Sequence, residues 1–136
     1  MSEIVGVDHI AIRVSNLATA RQFYEQLGFV FIEGPSGPEP VAILKHPCGI
    51  VINFILNADG SPEANVLMDV AEKYAGYTHV AFHVEDLLSM QEKLNDLNIN
   101  ITEGPVDFGG NYGASLFIRD QDRNVIEFHQ SASLGE

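Results

Sequence analysis

A long internal near-repeat constrains this chain more than any other feature. Asp8-His9-Ile10-Ala11-Ile12-Arg13-Val14 returns seventy positions later as Thr78-His79-Val80-Ala81-Phe82-His83-Val84. The same offset still holds at Glu33-Gly34-Pro35 and Glu103-Gly104-Pro105. Near the end, Val51-Ile52-Asn53-Phe54 matches Val125-Ile126-Glu127-Phe128 at an offset of 74, so the second half carries four extra residues. They fit into its glycine-rich loop, Phe108-Gly109-Gly110-Asn111-Tyr112-Gly113. Two copies of one supersecondary unit are implied, with Asn53 and Glu127 at the same place in each.

Hydrophobic periodicity gives the content of each copy. Residues 7–14 alternate as a strand, with His9, Ala11 and Arg13 on one face and Ile10, Ile12 and Val14 on the other. Asn16 is suited to cap a helix in which Leu17, Ala20, Tyr24 and Leu27 form the apolar stripe, ended by Gly28. A second strand around Phe29 and Phe31 is expected to close at the turn-rich Gly34-Pro35-Ser36-Gly37-Pro38. Residues 41–45 and 50–56 read as two further strands around Pro47-Cys48-Gly49, completing βαβββ. The second copy repeats the order: a strand over 78–84, a helix capped by Asp86 with Leu87, Met90, Leu94 and Leu97 inward, and a strand at Ile99 and Ile101. Two last strands follow over 114–119 and 124–130. Asn98 stands where Gly28 ends the first helix, and asparagine also tolerates the left-handed conformation. Between the copies, 65–74 suits either a short helix or an irregular crossing. The tail from Ser131 is expected to fray. The expected class is α+β: modules at about 5–56 and 76–130, a connector over 57–75, and one domain over 1–136.

Composition narrows the function. With 136 residues and a 46% apolar share, the chain can build a real core. A formal net charge of -12 disfavours nucleic acid and anionic membrane surfaces, both of which attract Lys and Arg. There is no apolar run long enough to span a bilayer, and Met1-Ser2-Glu3-Ile4-Val5 does not resemble a signal peptide. Cys48 is the single cysteine, which fits a reducing cytoplasm.

The candidate chemistry lies on the strands. His9 and His79 occupy one repeat position, and Glu127 lies on a last strand. All three are expected on the faces turned away from the helices, because the opposite faces are Ile, Val or Phe. An approximate two-fold between the modules would bring the first strands near each other. Two imidazoles and a carboxylate with open positions suit a facial metal site, offering Lewis-acid polarisation of substrate oxygens. A lone strand histidine is more often a hydrogen-bonded, partly buried residue; the weight rests on the pairing within the repeat. Arg13 and His83, also repeat-equivalent, are expected to face the same space: Arg13 to bind a carboxylate or phosphate, His83 to shuttle a proton. His129 shares the face of Glu127 and suits a supporting or substrate-contacting role. Tyr112, in the glycine-rich loop, suits closure over a ligand. His46 is expected in solvent, and Cys48 has no neighbour in sequence that would activate it.

Three segments carry a family resemblance: Val7-Asp8-His9-Ile10-Ala11-Ile12, Ala20-Arg21-Gln22-Phe23-Tyr24-Glu25-Gln26-Leu27-Gly28-Phe29, and Phe117-Ile118-Arg119-Asp120-Gln121-Asp122-Arg123-Asn124-Val125-Ile126-Glu127-Phe128. Over about residues 5–130 the chain resembles the vicinal oxygen chelate superfamily. That group includes glyoxalase I, fosfomycin-resistance thiol transferases, extradiol dioxygenases and bleomycin-resistance proteins. The resemblance implies a curved mixed sheet around a cavity, His9, His79 and Glu127 as metal ligands, and Glu127 doubling as a catalytic base. It also implies a divalent transition metal (Fe, Mn, Zn, Ni or Co), a small-molecule substrate and a homodimer. Two departures stand out. The family's Asp-Pro-Asp-Gly-Asn turn is Asp120-Gln121-Asp122-Arg123-Asn124 here, and the second carboxylate position of glyoxalase I is Asn53. The second departure points away from lactoylglutathione lyase itself. The implied function is a metal-dependent lyase, isomerase or transferase on an oxygen-rich molecule. The alternatives are an extradiol-type dioxygenase and a non-catalytic drug- or metabolite-binding protein.

Overall fold

The computed structural model describes residues 3–132; the first two residues and the tail beyond 132, included in the expectations above, lie outside that span. The elements run β1 (Ile10–Arg13), α1 (Leu17–Gln26), β2 (Val30–Ser36), β3 (Val41–Lys45), β4 (Val51–Ile55), β5 (His79–His83), α2 (Leu87–Asp96), β6 (Ile101–Asp107), β7 (Ala114–Arg119) and β8 (Val125–Gln130). They fall into two compact units, one ending at Ser61 and one starting at Pro62. The first is a four-stranded sheet in the order β1-β4-β3-β2, the second one in the order β5-β8-β7-β6. In each, the opening strand runs parallel to the last and the remaining pairs are antiparallel. The α+β class and the two βαβββ modules are therefore both present.

Both helices begin and end by the same local chemistry. The Asn16 side chain accepts from Thr19 N, and the Asp86 carboxylate accepts from Leu88 N and Ser89 N, so each helix has its first donors satisfied. At the far ends, Gly28 N donates to Glu25 O and Phe29 N to Tyr24 O; in the second unit Asn98 N donates to Asn95 O and Ile99 N to Leu94 O. This is the Schellman arrangement, which needs a left-handed residue just after the helix. Gly28 has φ of 100° and Asn98 of 58°, so the asparagine does take over the role of the glycine. Ala20 and Tyr24 on α1 are buried, as are Ala42, Leu44, Ile52 and Phe54 in their sheet, and Tyr24 meets Phe29 and Phe54 edge-on; in the second unit Leu87 and Leu94 on α2 are buried, as are Leu116, Ile118, Ile126 and Phe128.

Pairing confirms the repeat. Ala11 pairs with Asn53, and Ala81 with Glu127, so Asn53 and Glu127 hold the same register position. One expectation is corrected. Gly34-Pro35-Ser36 does not close the second strand; β2 continues through it and turns after Ser36, as β6 continues through Gly104-Pro105. Both strands shift register here and both Gly-Pro bonds are cis. A Cβ on Gly34 would lie 2.4 Å from Val41 O, and one on Gly104 2.7 Å from Ser115 O, so glycine is what lets these strands press against their neighbours.

The connector is irregular, not helical. The Asn65 side chain accepts from Leu67 N and Met68 N to make one isolated turn. From Pro62 onward it belongs to the second unit. The Asn65 amide donates to Arg123 O, and Asp69 makes a bidentate pair with Arg119 at 2.7 and 2.8 Å. No helix among the described residues is long and apolar enough to cross a membrane.

Candidate functional site

Strand parity sorts the second sheet into two chemically distinct faces. Val80 and Phe82 on β5 pair in register with Ile126 and Phe128, which in turn meet Ile118 and Leu116; this face is apolar and belongs to the core. The alternate positions carry His79 and His83 on β5, Glu127 and His129 on β8, and Ser115, Phe117 and Arg119 on β7.

Diagonal contacts link these side chains. His79 Nε2 lies 2.8 Å from Glu127 Oε1, and His79 Nδ1 lies 2.9 Å from Thr78 Oγ1. The other oxygen, Glu127 Oε2, accepts from the Ser115 hydroxyl at 2.5 Å. Ser115 Oγ is 2.6 Å from His129 Nδ1, which itself stands 3.5 Å from Glu127 Oε2. His79 packs edge-on to Phe117, and Phe108 from the glycine-rich loop stacks on His129. His83 occupies the row of His129 and Ser115, with Nε2 at 3.2 Å from Ser131 Oγ.

Below this cluster, Arg119 shares a row with Val125 and His79. Its guanidinium grips Asp69, and that hydrogen bond, with help from Asn65 N, lowers the Asp69 carboxyl from 3.8 to about 2. The same pairing raises Arg119 further above its ordinary value. The guanidinium on this face is therefore tied to the connector.

In the first unit, His9 immediately precedes β1, and its Nδ1 lies 2.8 Å from Asp8 Oδ2. A carboxylate can only accept, so it fixes the proton on Nδ1 and leaves the lone pair on Nε2. The Thr78 hydroxyl beside His79 can donate or accept, so it suits either tautomer of that ring. Each ring thus has a partner on Nδ1, and the two differ at Nε2: that of His79 is turned to Glu127 Oε1, to which it donates. Arg13 Nε donates to Asn57 Oδ1 at 2.9 Å, and its NH2 is 3.8 Å from Glu39 Oε1.

Among the described residues, no three His, Cys, Asp or Glu side chains are gathered as a metal cluster. The second unit brings together the pair His79 and Glu127, an imidazole nitrogen and a carboxylate oxygen in hydrogen-bond contact. That donor set fits a borderline divalent metal.

A family model described as the glyoxalase/bleomycin resistance protein/dioxygenase superfamily matches residues 6–128. The chain belongs to that superfamily. Among curated superfamily proteins it is similar to the metallothiol transferase FosB of Bacillus licheniformis, 28% identical over 130 residues, covering 94% of this chain and 77% of FosB. Among solved structures it resembles SMU.1112c, with a TM-score of 0.71 at 27% identity, covering 94% of this chain and 100% of that one. A variant of the fosfomycin resistance protein FosX of Listeria monocytogenes, complexed with Mn(II) and 1S,2S-dihydroxypropylphosphonic acid, shares the fold. Its TM-score is 0.71 at 18% identity, with 95% of this chain and 94% of FosX covered.

For this glyoxalase-superfamily chain, the sequence had singled out four further residues. His129 joins the Glu127 cluster through Ser115, and His83 sits in the same row. Tyr112 is 73% exposed on its loop and Arg13 is bound to Asn57 and Glu39 in the first unit. His46 is not in solvent as expected: half-buried, it packs on Phe29, lies over Gly28 and accepts from Cys48 N, because the absent Gly28 side chain leaves it room. Cys48 lies exposed in its turn. Sequence reasoning missed Ser115. Its signal was a hydroxyl in the run Ala114-Ser115-Leu116-Phe117-Ile118, otherwise apolar, where the first module has Val41.

Proposed function

We propose that this chain is a divalent-metal-dependent enzyme that chelates a small oxygen-rich molecule, with His9, His79 and Glu127 as ligands and Glu127 also the catalytic base. The observation that carries this reading is the 2.8 Å approach of His79 Nε2 to Glu127 Oε1, on the face opposite the apolar core. A hydrogen-bonded imidazole–carboxylate pair on neighbouring strands is also what a metal replaces when it takes the shared proton's place. The bound metal would supply Lewis-acid polarisation of adjacent substrate oxygens. The chain's own residues do the rest. Thr78 and Asp8 hold the two rings by Nδ1. Glu127 accepts a substrate proton, and Arg13, His83, Tyr112 and His129 contact the substrate.

Within this class, similarity to a metallothiol transferase favours group transfer over dioxygenase chemistry. The metal is one of Fe, Mn, Zn, Ni or Co; the FosX complex with Mn(II) and a dihydroxy phosphonate supports such a metal and a substrate with neighbouring oxygens. The two modules act as one domain, in a cytoplasmic homodimer. Metal analysis of untagged protein tests the reading. A transition metal should co-purify or bind on addition, and His79→Ala should abolish that binding. Protein that takes up no metal under either condition would leave only a non-catalytic binding role.

A further inference from the structure

We propose that Ser115 and His129 act together as positioning residues that lock the Glu127 carboxylate toward His79; this rests on Glu127 being a metal ligand. Ser115 is the second residue of β7 and fully buried, in a strand position where an apolar side chain would serve the core as well. Proton counting fixes what the hydroxyl does. The ionised Glu127 carboxylate can only accept, so the single Ser115 proton goes to Oε2 at 2.5 Å. Ser115 Oγ must then accept from His129, so the imidazole proton at that 2.6 Å contact sits on Nδ1. With Oε2 held by Ser115 and Oε1 facing His79, both carboxylate oxygens are committed and the plane of the group is set.

The imidazole at the end of this relay is itself held. Phe108 stacks on it with centroids 6.4 Å apart and planes 26° apart. Gly113 lies so close that a Cβ there would stand 3.1 Å from His129 Nε2 and 2.1 Å from Gln130 O. The glycine-rich loop therefore reaches Glu127 through two side chains.

The first module gives an internal comparison. At the equivalent register it has Val41, Asn53 and Ile55 where the second has Ser115, Glu127 and His129. All three positions of the network are polar in one copy, and two of the three are aliphatic in the other. Serine and histidine accompany the carboxylate and are missing where it is missing, as expected if they serve it. Partners of this kind typically affect metal affinity by about 10–100-fold.

Two measurements on the full chain test this. The first is Mn(II) affinity by electron paramagnetic resonance, with urea unfolding to show that each variant folds. Ser115→Ala and His129→Ala should each weaken binding by about 10–100-fold. The double variant should be little worse than either single one, because they cut the same relay. Ser115→Thr, which keeps the hydroxyl, should restore most of the affinity. Folded Ser115→Ala protein with wild-type affinity would overturn the proposal. The second measurement needs no metal: imidazole nitrogen NMR of the metal-free protein. His129 should appear as the Nδ1-protonated tautomer and lose that preference in Ser115→Ala; an Nε2-protonated His129 in the wild type would equally overturn the relay. If the wild type binds no Mn(II) or other transition metal, the metal reading fails, while the relay is still decided by the tautomer.

Discussion

The acid behaviour of this protein should show the hand of one residue. The Arg119 guanidinium holds the Asp69 carboxyl at about 2, below its ordinary 3.8. A carboxylate depressed on folding stabilises the folded state in full above its unfolded value and loses that contribution as pH falls through the folded one. The stability difference between the wild type and Asp69→Asn should therefore be constant above roughly pH 5. It should shrink as pH falls from about 3.8 to about 2. Urea unfolding at a series of pH values measures it, and raised salt should reduce the difference because the pair is partly solvated. A difference that grows on acidification would contradict the pairing. The site offers a contrast at the same scale: Glu127 is held by neutral and imidazole donors, and what matters there is the direction each oxygen faces.

At the scale of elements, the two helices are short, each ten residues, and too short to persist alone. Their ends and buried stripes hold them. Asp86 satisfies two amide donors at the start of α2, so Asp86→Ala should cost about 1 kcal/mol. Leu94 is fully buried, and Leu94→Ala should cost about 2–5 kcal/mol through lost burial and the cavity left behind. Denaturant titrations of the two variants would rank them; equal losses would mean that the cap holds α2 as strongly as its core contacts do. Strands behave differently. β2 and β6 pass through Gly-Pro steps that read locally as turns, because glycine there allows a close approach that the tight neighbouring strand demands.

For the whole molecule, the prediction concerns what a metal does to two units. If the proposed ligands His9, His79 and Glu127 hold an ion, binding stabilises the folded chain by mass action, about 2.7 kcal/mol when free metal is 100-fold above Kd. Thermal unfolding should then shift upward on adding Mn(II) or Zn(II), and His9→Ala should lose most of that shift although it leaves the His79–Glu127 pair intact. A full shift in His9→Ala would place the ion on the second unit alone. The formal net charge of -12 belongs to this scale too, as it repels other anions at a distance.

The sequence by itself determined the two βαβββ modules, the helices with their caps at Asn16 and Asp86, the left-handed Asn98, and the shared register position of Asn53 and Glu127. These rest on periodicity, capping chemistry and an internal repeat, all of which act within a few residues or are copied along the chain. It also placed His79, Glu127 and His129 on one face, because side chains in a strand alternate. Only the tertiary structure decided that Ser115 joins Glu127 to His129, that Arg119 is engaged by Asp69 of the connector, and that His46 is sheltered over Gly28. Each of those depends on which side chain a neighbouring strand or loop brings within about 3 Å, a distance range in which hydrogen bonds form. Parity along one strand says which face a residue takes; register between strands says whom it meets there.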